Sequence, residues 1–228
     1  MRSLGVGALV MLAVAATTAT AAMAFQADFG GVSINLPTPA GFCELSASKS
    51  PSDRRMLTTL TDILAKSGNK LLGMSADCRQ LADWQAGKRQ LLDDYAQYQT
   101  SLASIGKPSN ETTQQTCATL RQQGNQITSN QFPDIKARVE AALSKIKMNE
   151  TSFIGVLAED PDACYAGIVT QIHTEANTDK TQVTLFAVTI VKNRTVFVYS
   201  MSVYGPDSVN KTLTKLKANV AALFAANR

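Results

Sequence analysis

Four cysteines, a single histidine and two short acidic runs are the residues of this 228-residue chain whose types could carry chemistry. A hydrolase of the Ser-His-Asp kind needs an imidazole that is held by an acid and faces a serine. His173 is the only histidine, and no G-x-S-x-G elbow accompanies it. Strand alternation over residues 164–175 places it on one face with Val169, Gln171 and Glu175, which reads as the solvent side of a strand. The acids occur as Asp93-Asp94 and as Glu159, Asp160 and Asp162. Glycoside cleavage needs two carboxyls facing each other across a sugar, which adjacency in sequence does not supply. A dedicated calcium loop spaces its acids as D-x-D-x-D-G, and the second run does not, so a solvated turn is the expected reading. Neither the phosphate loop G-x-x-x-x-G-K nor the dinucleotide pattern G-x-G-x-x-G is present. The expectation is therefore no catalytic, cofactor-binding or metal-binding residue, no cofactor, and a protein that is not an enzyme.

The cysteines point to structure. Cys43, Cys78, Cys117 and Cys164 show no C-x-x-C spacing, which argues against a tetrathiolate zinc site. An even count in an exported chain implies bridges. Of the three possible pairings, Cys43 with Cys78 and Cys117 with Cys164 is favoured, because each then joins elements that are neighbours in sequence.

Export is itself read from the start of the chain. Arg2, an apolar run over residues 4–16 and the small-x-small site Ala22-Met23-Ala24 make residues 1–24 a secretory signal peptide. Residues 25–228 would then form a single α+β domain, with no later apolar run of about 18 residues to span a bilayer. Loss of Arg2 leaves the mature chain at a formal charge of +3, against +4 for the whole, which excludes a nucleic-acid binder by composition. The alanine-rich leader and the sparing use of cysteine suggest a bacterial envelope protein, periplasmic or secreted. In that setting the N-x-T sequons at Asn110, Asn149, Asn193 and Asn210 carry no meaning.

The elements that would position these residues centre on the end of the chain. Residues 181–191 and 195–204 are rich in Val, Ile, Thr, Phe and Tyr and read as a hairpin turned by Lys192, Asn193 and Arg194. Phe186, Val188 and Ile190 alternate with Leu185, Ala187, Thr189 and Val191, so both faces of the first strand should be covered. After Gly205-Pro206, the positions Val209, Leu213, Leu216, Val220, Leu223 and Phe224 form one stripe of an amphipathic helix that must lie on the sheet. Upstream, Val32, Ile34 and Leu36 read as a first strand at an edge. Ser50-Pro51-Ser52-Asp53 opens a helix over 51–67. Leu72, Met74, Ala76 and Cys78 alternate as a strand with Cys78 pointing inward, and 92–100 reads as another strand. Two helices are expected over 110–123, stopped by Gly124, and over 134–148, where Ile135, Val139, Ala142, Leu143 and Ile146 share a face. A polar linker, 125–133, would separate them. Strands over 152–158 and 164–175 follow. Trp84, Tyr95, Tyr98, Tyr199 and Tyr204 could line a ligand groove but are expected in core or rim, and the lysines of the last helices make an ordinary exposed face.

Ile34-Asn35-Leu36-Pro37, Pro39-Ala40-Gly41-Phe42 and the stretch 184–204 with its closing helix carry a resemblance to the Mog1/PsbP-like fold. The chain also resembles exported bacterial proteins of similar length and unassigned function. The resemblance implies an antiparallel sheet flanked by helices, and an accessory or binding role rather than an enzymatic one. The expected fold is α+β, with a single antiparallel β-sheet flanked by helices and a C-terminal β-hairpin followed by a long amphipathic helix. The expected function is a disulfide-stabilised, non-enzymatic binding or accessory protein of the bacterial envelope, whose partner is another envelope protein. Nothing in the sequence selects an oligomeric state. Two rivals remain: a hydrolase-like site around His173, and a carrier of a small apolar ligand held between sheet and helix, which would show as a large lined cavity.

Overall fold

The computed structural model describes residues 24–142, 146–174 and 179–228. The expected signal peptide, residues 1–24, lies outside these apart from Ala24. The chain opens with β1 (Ala24–Asp28), β2 (Ser33–Pro37) and β3 (Phe42–Glu44), followed by α1 (Pro51–Lys66), β4 (Asn69–Asp77) and α2 (Cys78–Gln85). Next come β5 (Tyr95–Ser101), α3 (Thr113–Ala142), β6 (Ile146–Glu159) and β7 (Ala163–Thr174). The chain closes with β8 (Asp179–Val191), β9 (Arg194–Val203) and α4 (Ser208–Ala225).

The expected single sheet is in fact two. Seven strands pair antiparallel in the order β3-β4-β5-β9-β8-β7-β6, while β1 and β2 form a separate ribbon. Gly30 and Gly31, both at positive φ, turn β1 back onto β2, and Pro37 and Pro39 end the second strand. The ribbon reaches no edge of the large sheet because its apolar side chains, Phe29, Ile34 and Leu36, are drawn into the core beside α4. Asn227 fixes that arrangement: its side chain donates to Asn35 O at 2.7 Å and accepts from Asn35 N at 2.9 Å.

One face of the sheet is sealed. Leu185, Ala187 and Val191 of β8 and Val196 and Val198 of β9 pack under Leu216, Val220 and Leu223 of α4, all essentially without solvent exposure. The hairpin turn has two residues, Lys192 and Asn193, both left-handed (φ 48° and 59°), the twist a tight antiparallel pair requires. At the β3-β4-β5 end of the opposite face, Met74 and Ala76 meet Leu45, Leu81 and Leu92, with Met56, Leu57 and Leu60 of α1 packed over them. Helix α1 starts as expected, with Ser50 Oγ accepting from Ser52 N and Asp53 N at 3.2 and 3.4 Å. The fully buried Asp53 carboxylate accepts from Ser46 N at 3.0 Å and Gln85 Nε2 at 2.9 Å, tying α1 to the end of α2.

Three expectations are corrected. Cys78 does not end an inward-facing strand; it opens α2, capped by Asp77, whose Oδ1 accepts from Arg79 N and Gln80 N at 3.1 Å. The strand expected from residue 92 begins at Tyr95, with Leu92 buried in the preceding loop. The two helices expected around a polar linker are one 30-residue helix that runs through Gly124 and Pro133 and ends at Ala142. Ile146, assigned to the helical stripe, opens β6 instead, and Leu143 lies outside the described residues. Gly124 is no stop signal: a Cβ there would fall 2.3 Å from the Phe153 ring, so glycine is the residue that lets helix and strand approach.

Disulfides join Cys43 to Cys78, from β3 to the start of α2, and Cys117 to Cys164, from α3 to β7. They span 35 and 47 residues, with Cα atoms 4.9 and 5.4 Å apart.

Candidate functional site

The second face of β8 meets a different neighbour from the first. Phe186, Val188 and Ile190 stand opposite Tyr199, Phe197 and Thr195 of β9 in register, and the Phe186 and Tyr199 rings lie 5.8 Å apart. These side chains are only half-buried, although α3 crosses above them. The reason lies in the helix. Its buried residues are Thr113, Cys117 and Gly124, close to where the disulfide and the Gly124–Phe153 approach fasten it to β7 and β6. An ion pair between Arg121 and Glu159, at 2.6 Å, holds the same margin. On the far side Arg138 Nη1 donates to Ser67 Oγ at the end of α1, at 2.9 Å. Between these anchors α3 roofs the sheet without filling the space, and leaves a groove of about 1060 Å³.

That volume lies at the upper end of small-molecule clefts, which run to about 1,000 Å³. The floor is the apolar face just described. The roof is Leu120, Ile127, Phe132 and Ile135 of α3, whose spacing keeps them on one side of the helix, and Ile63 and Leu64 of α1 close one end. Of the lining residues only Lys107 and Glu111 carry charge, and both are exposed. Besides the hydroxyls of Thr151 and Thr195, two polar groups matter on the floor. Gln99 of β5, 3% exposed, donates from Nε2 to Gln97 Oε1 at 2.8 Å, while its own Oε1 is buried with no hydrogen-bond partner. Burial pushes the Tyr199 phenol up to about 12, so it is neutral at working pH. Such a lining desolvates and holds an uncharged, mostly apolar molecule.

The residues singled out from sequence lie elsewhere. His173 Nδ1 meets Asp179 Oδ1 at 2.7 Å across the β7–β8 ladder, on the strand face opposite Ile168, which lines the groove. Glu175 lies outside the described residues. Asp93 accepts from Arg89 Nη2 at 2.6 Å and Lys180 Nζ at 2.9 Å, and Asp94 pairs with Lys215 at 3.5 Å, so these acids tie the 86–94 loop to β8 and α4. Asp160 Oδ1 accepts from Asp162 N and Ala163 N at 3.0 and 2.9 Å, closing the turn between β6 and β7. Among the described residues no three His, Cys, Asp or Glu side chains stand close enough to share a metal ion. Of the expected aromatics only Tyr199 lines the groove. Trp84 and Tyr95 pack with the α1–α2 cluster, Tyr98 is buried with its hydroxyl donating to Pro37 O at 2.7 Å, and Tyr204 is 56% exposed.

Sequence reasoning missed Phe197, Val188, Ile190 and the α3 stripe as site residues. The signal was there: a strand apolar on both faces needs two covers, and the one patterned helix after it supplies only one.

No family model and no curated protein matches the chain. Among solved structures it is similar to the Ran-binding protein Mog1p of Saccharomyces cerevisiae, at 8% identity over 91% of this chain and 93% of that one, with a TM-score of 0.32. It is also similar to a point mutant of Mog1, at 9% identity over 90% and 93%, with a TM-score of 0.34. A likeness this remote carries nothing about fold family, site or activity. No helix among the described residues is long and apolar enough to cross a membrane.

Proposed function

We propose that this chain is an exported, non-enzymatic accessory protein of the bacterial envelope that carries a small apolar ligand in the groove between α3 and the sheet. The observation that supports this reading is the groove itself: about 1060 Å³ over an apolar floor, under a helix bolted at one margin by the Cys117–Cys164 bridge. Apolar surface left open to water in a folded chain is a standing driving force for binding. Two disulfides and a leader of signal-peptide composition support oxidative export, to the periplasm or beyond. The carrier, a rival to the accessory role in the sequence reading, is here joined to it, since what passes to another envelope component is then the ligand. The unlike faces of β7 on which His173 and the groove stand favour a carrier over a hydrolase.

Titration of the purified protein with the neutral fluorophore N-phenyl-1-naphthylamine tests the proposal. Saturable, blue-shifted emission with one site per chain is expected. Val188→Trp, which fills the floor, should weaken binding at least about tenfold while leaving the fold intact, as a small-molecule cleft demands. Absence of saturable binding, or binding indifferent to Val188→Trp, overturns the proposal.

A further inference from the structure

We propose that the ligand presents a neutral hydrogen-bond donor to Gln99 Oε1, so that the groove selects an uncharged amphiphile with a hydroxyl or amide N–H head over a fatty acid or a pure hydrocarbon. The inference rests on the groove being the binding site and names the chemistry it selects. Buried acceptors in folded proteins are almost always satisfied, and each exception calls for an explanation. Gln99 is 3% exposed, lines the groove, and its Oε1 accepts nothing from the protein.

A chain of neighbours fixes which atom of the amide is left over. Gln97 Nε2 is turned to Met74 Sδ at 4.0 Å, and a thioether sulfur can only accept. The Gln97 oxygen must therefore face Gln99, and it takes the Gln99 amide N–H at 2.8 Å. Reversing either amide would set oxygen against sulfur or oxygen against oxygen. What remains is an acceptor, and a donor is what it lacks.

Charge narrows the ligand further. A carboxylate brought to this floor would meet the Gln99 lone pairs and lose its hydration, and the lining offers one cation, Lys107, which is exposed. Tyr199, whose pKa is raised by burial with no hydrogen bond contributing, stands across the β5–β9 pair from Gln97 and diagonal to Gln99.

The test is displacement of N-phenyl-1-naphthylamine by three probes of one chain length, at pH 8: 1-dodecanol, its methyl ether and dodecanoate. The alcohol should bind about tenfold tighter than the ether, which cannot donate, and than the carboxylate, as expected for one hydrogen bond to a buried acceptor. In Gln97→Leu/Gln99→Leu, which replaces both amides by apolar groups of similar shape and so preserves packing, alcohol and ether should converge to within about twofold. An ether that matches the alcohol on the unaltered protein, a preference for dodecanoate, or an alcohol preference that survives the double variant each overturns the donor assignment while leaving the groove standing. If neither the fluorophore nor any of the three probes binds, the groove reading falls and takes this inference with it.

Discussion

A missing side chain at position 124 decides how α3 lies on the molecule. With a Cβ only 2.3 Å from the Phe153 ring, Gly124→Val must push helix and strand apart, and we expect a loss of about 1–3 kcal/mol in urea unfolding from overpacking. An unchanged midpoint would mean that the ring swings aside without cost. The tyrosines give a second handle. Burial raises the phenols of Tyr95, Tyr98 and Tyr199 above the ordinary 10.0, and at Tyr165 the anions Asp160 and Asp162 add to the effect of burial. A raised folded-state pKa in an acid means that the unfolded chain releases its proton first. Their contribution to stability is therefore complete below pH 10 and is lost as the pH climbs through the folded values, near 12 for Tyr199. Unfolding midpoints should stay flat from pH 8 to about 10 with respect to these groups and fall above it; phenolate absorbance in the folded protein rising with the ordinary midpoint would contradict this. At this scale the cysteine pairs follow sequence order, first with second and third with fourth, although the bridged elements are not adjacent: α1 and β4 lie between Cys43 and Cys78, and β6 lies between Cys117 and Cys164. Gly124 could not be read from sequence, since a glycine that ends a helix and one that admits a neighbouring ring look alike until the ring is in place.

Among the elements, the hairpin and α4 declare themselves, because period-2 and period-3.6 patterns are strongest where burial is complete. Leu216, without exposure under the sheet, should cost about 2–5 kcal/mol on truncation to alanine. Helix α3 declares its two ends and not its middle, for the same physical reason: its lower face meets a groove in place of a packed core, so its apolar pattern is thin and the residues 125–133 read as a linker. Ile127 and Phe132 from that stretch nevertheless line the roof. The two bridges then separate by function. Removing either pair, as Cys43→Ala/Cys78→Ala or Cys117→Ala/Cys164→Ala, should lower stability by roughly 2–4 kcal/mol through the freed unfolded chain. Only the second releases the helix over the groove, and only it should weaken fluorophore binding as well. Equal effects of both on binding would show that α3 is positioned by something other than its bridge to β7.

For the molecule as a whole, one sheet separates two environments: a sealed core beneath α4 and the β1–β2 ribbon, and an apolar face roofed without being filled. The α+β class and the closing unit were legible in the sequence. The second sheet and the groove were not, because each depends on which of two apolar faces finds a cover, a question settled only by tertiary packing. The function proposed here rests on that asymmetry, and intermolecular NOEs between 1-dodecanol methylenes and the protein's methyl groups test it most directly. The account predicts contacts to Leu120, Ile127, Val188 and Ile190 and none to Leu216, Val220 or Leu223. Contacts confined to the α4 side, or spread over the surface without preference, would contradict it.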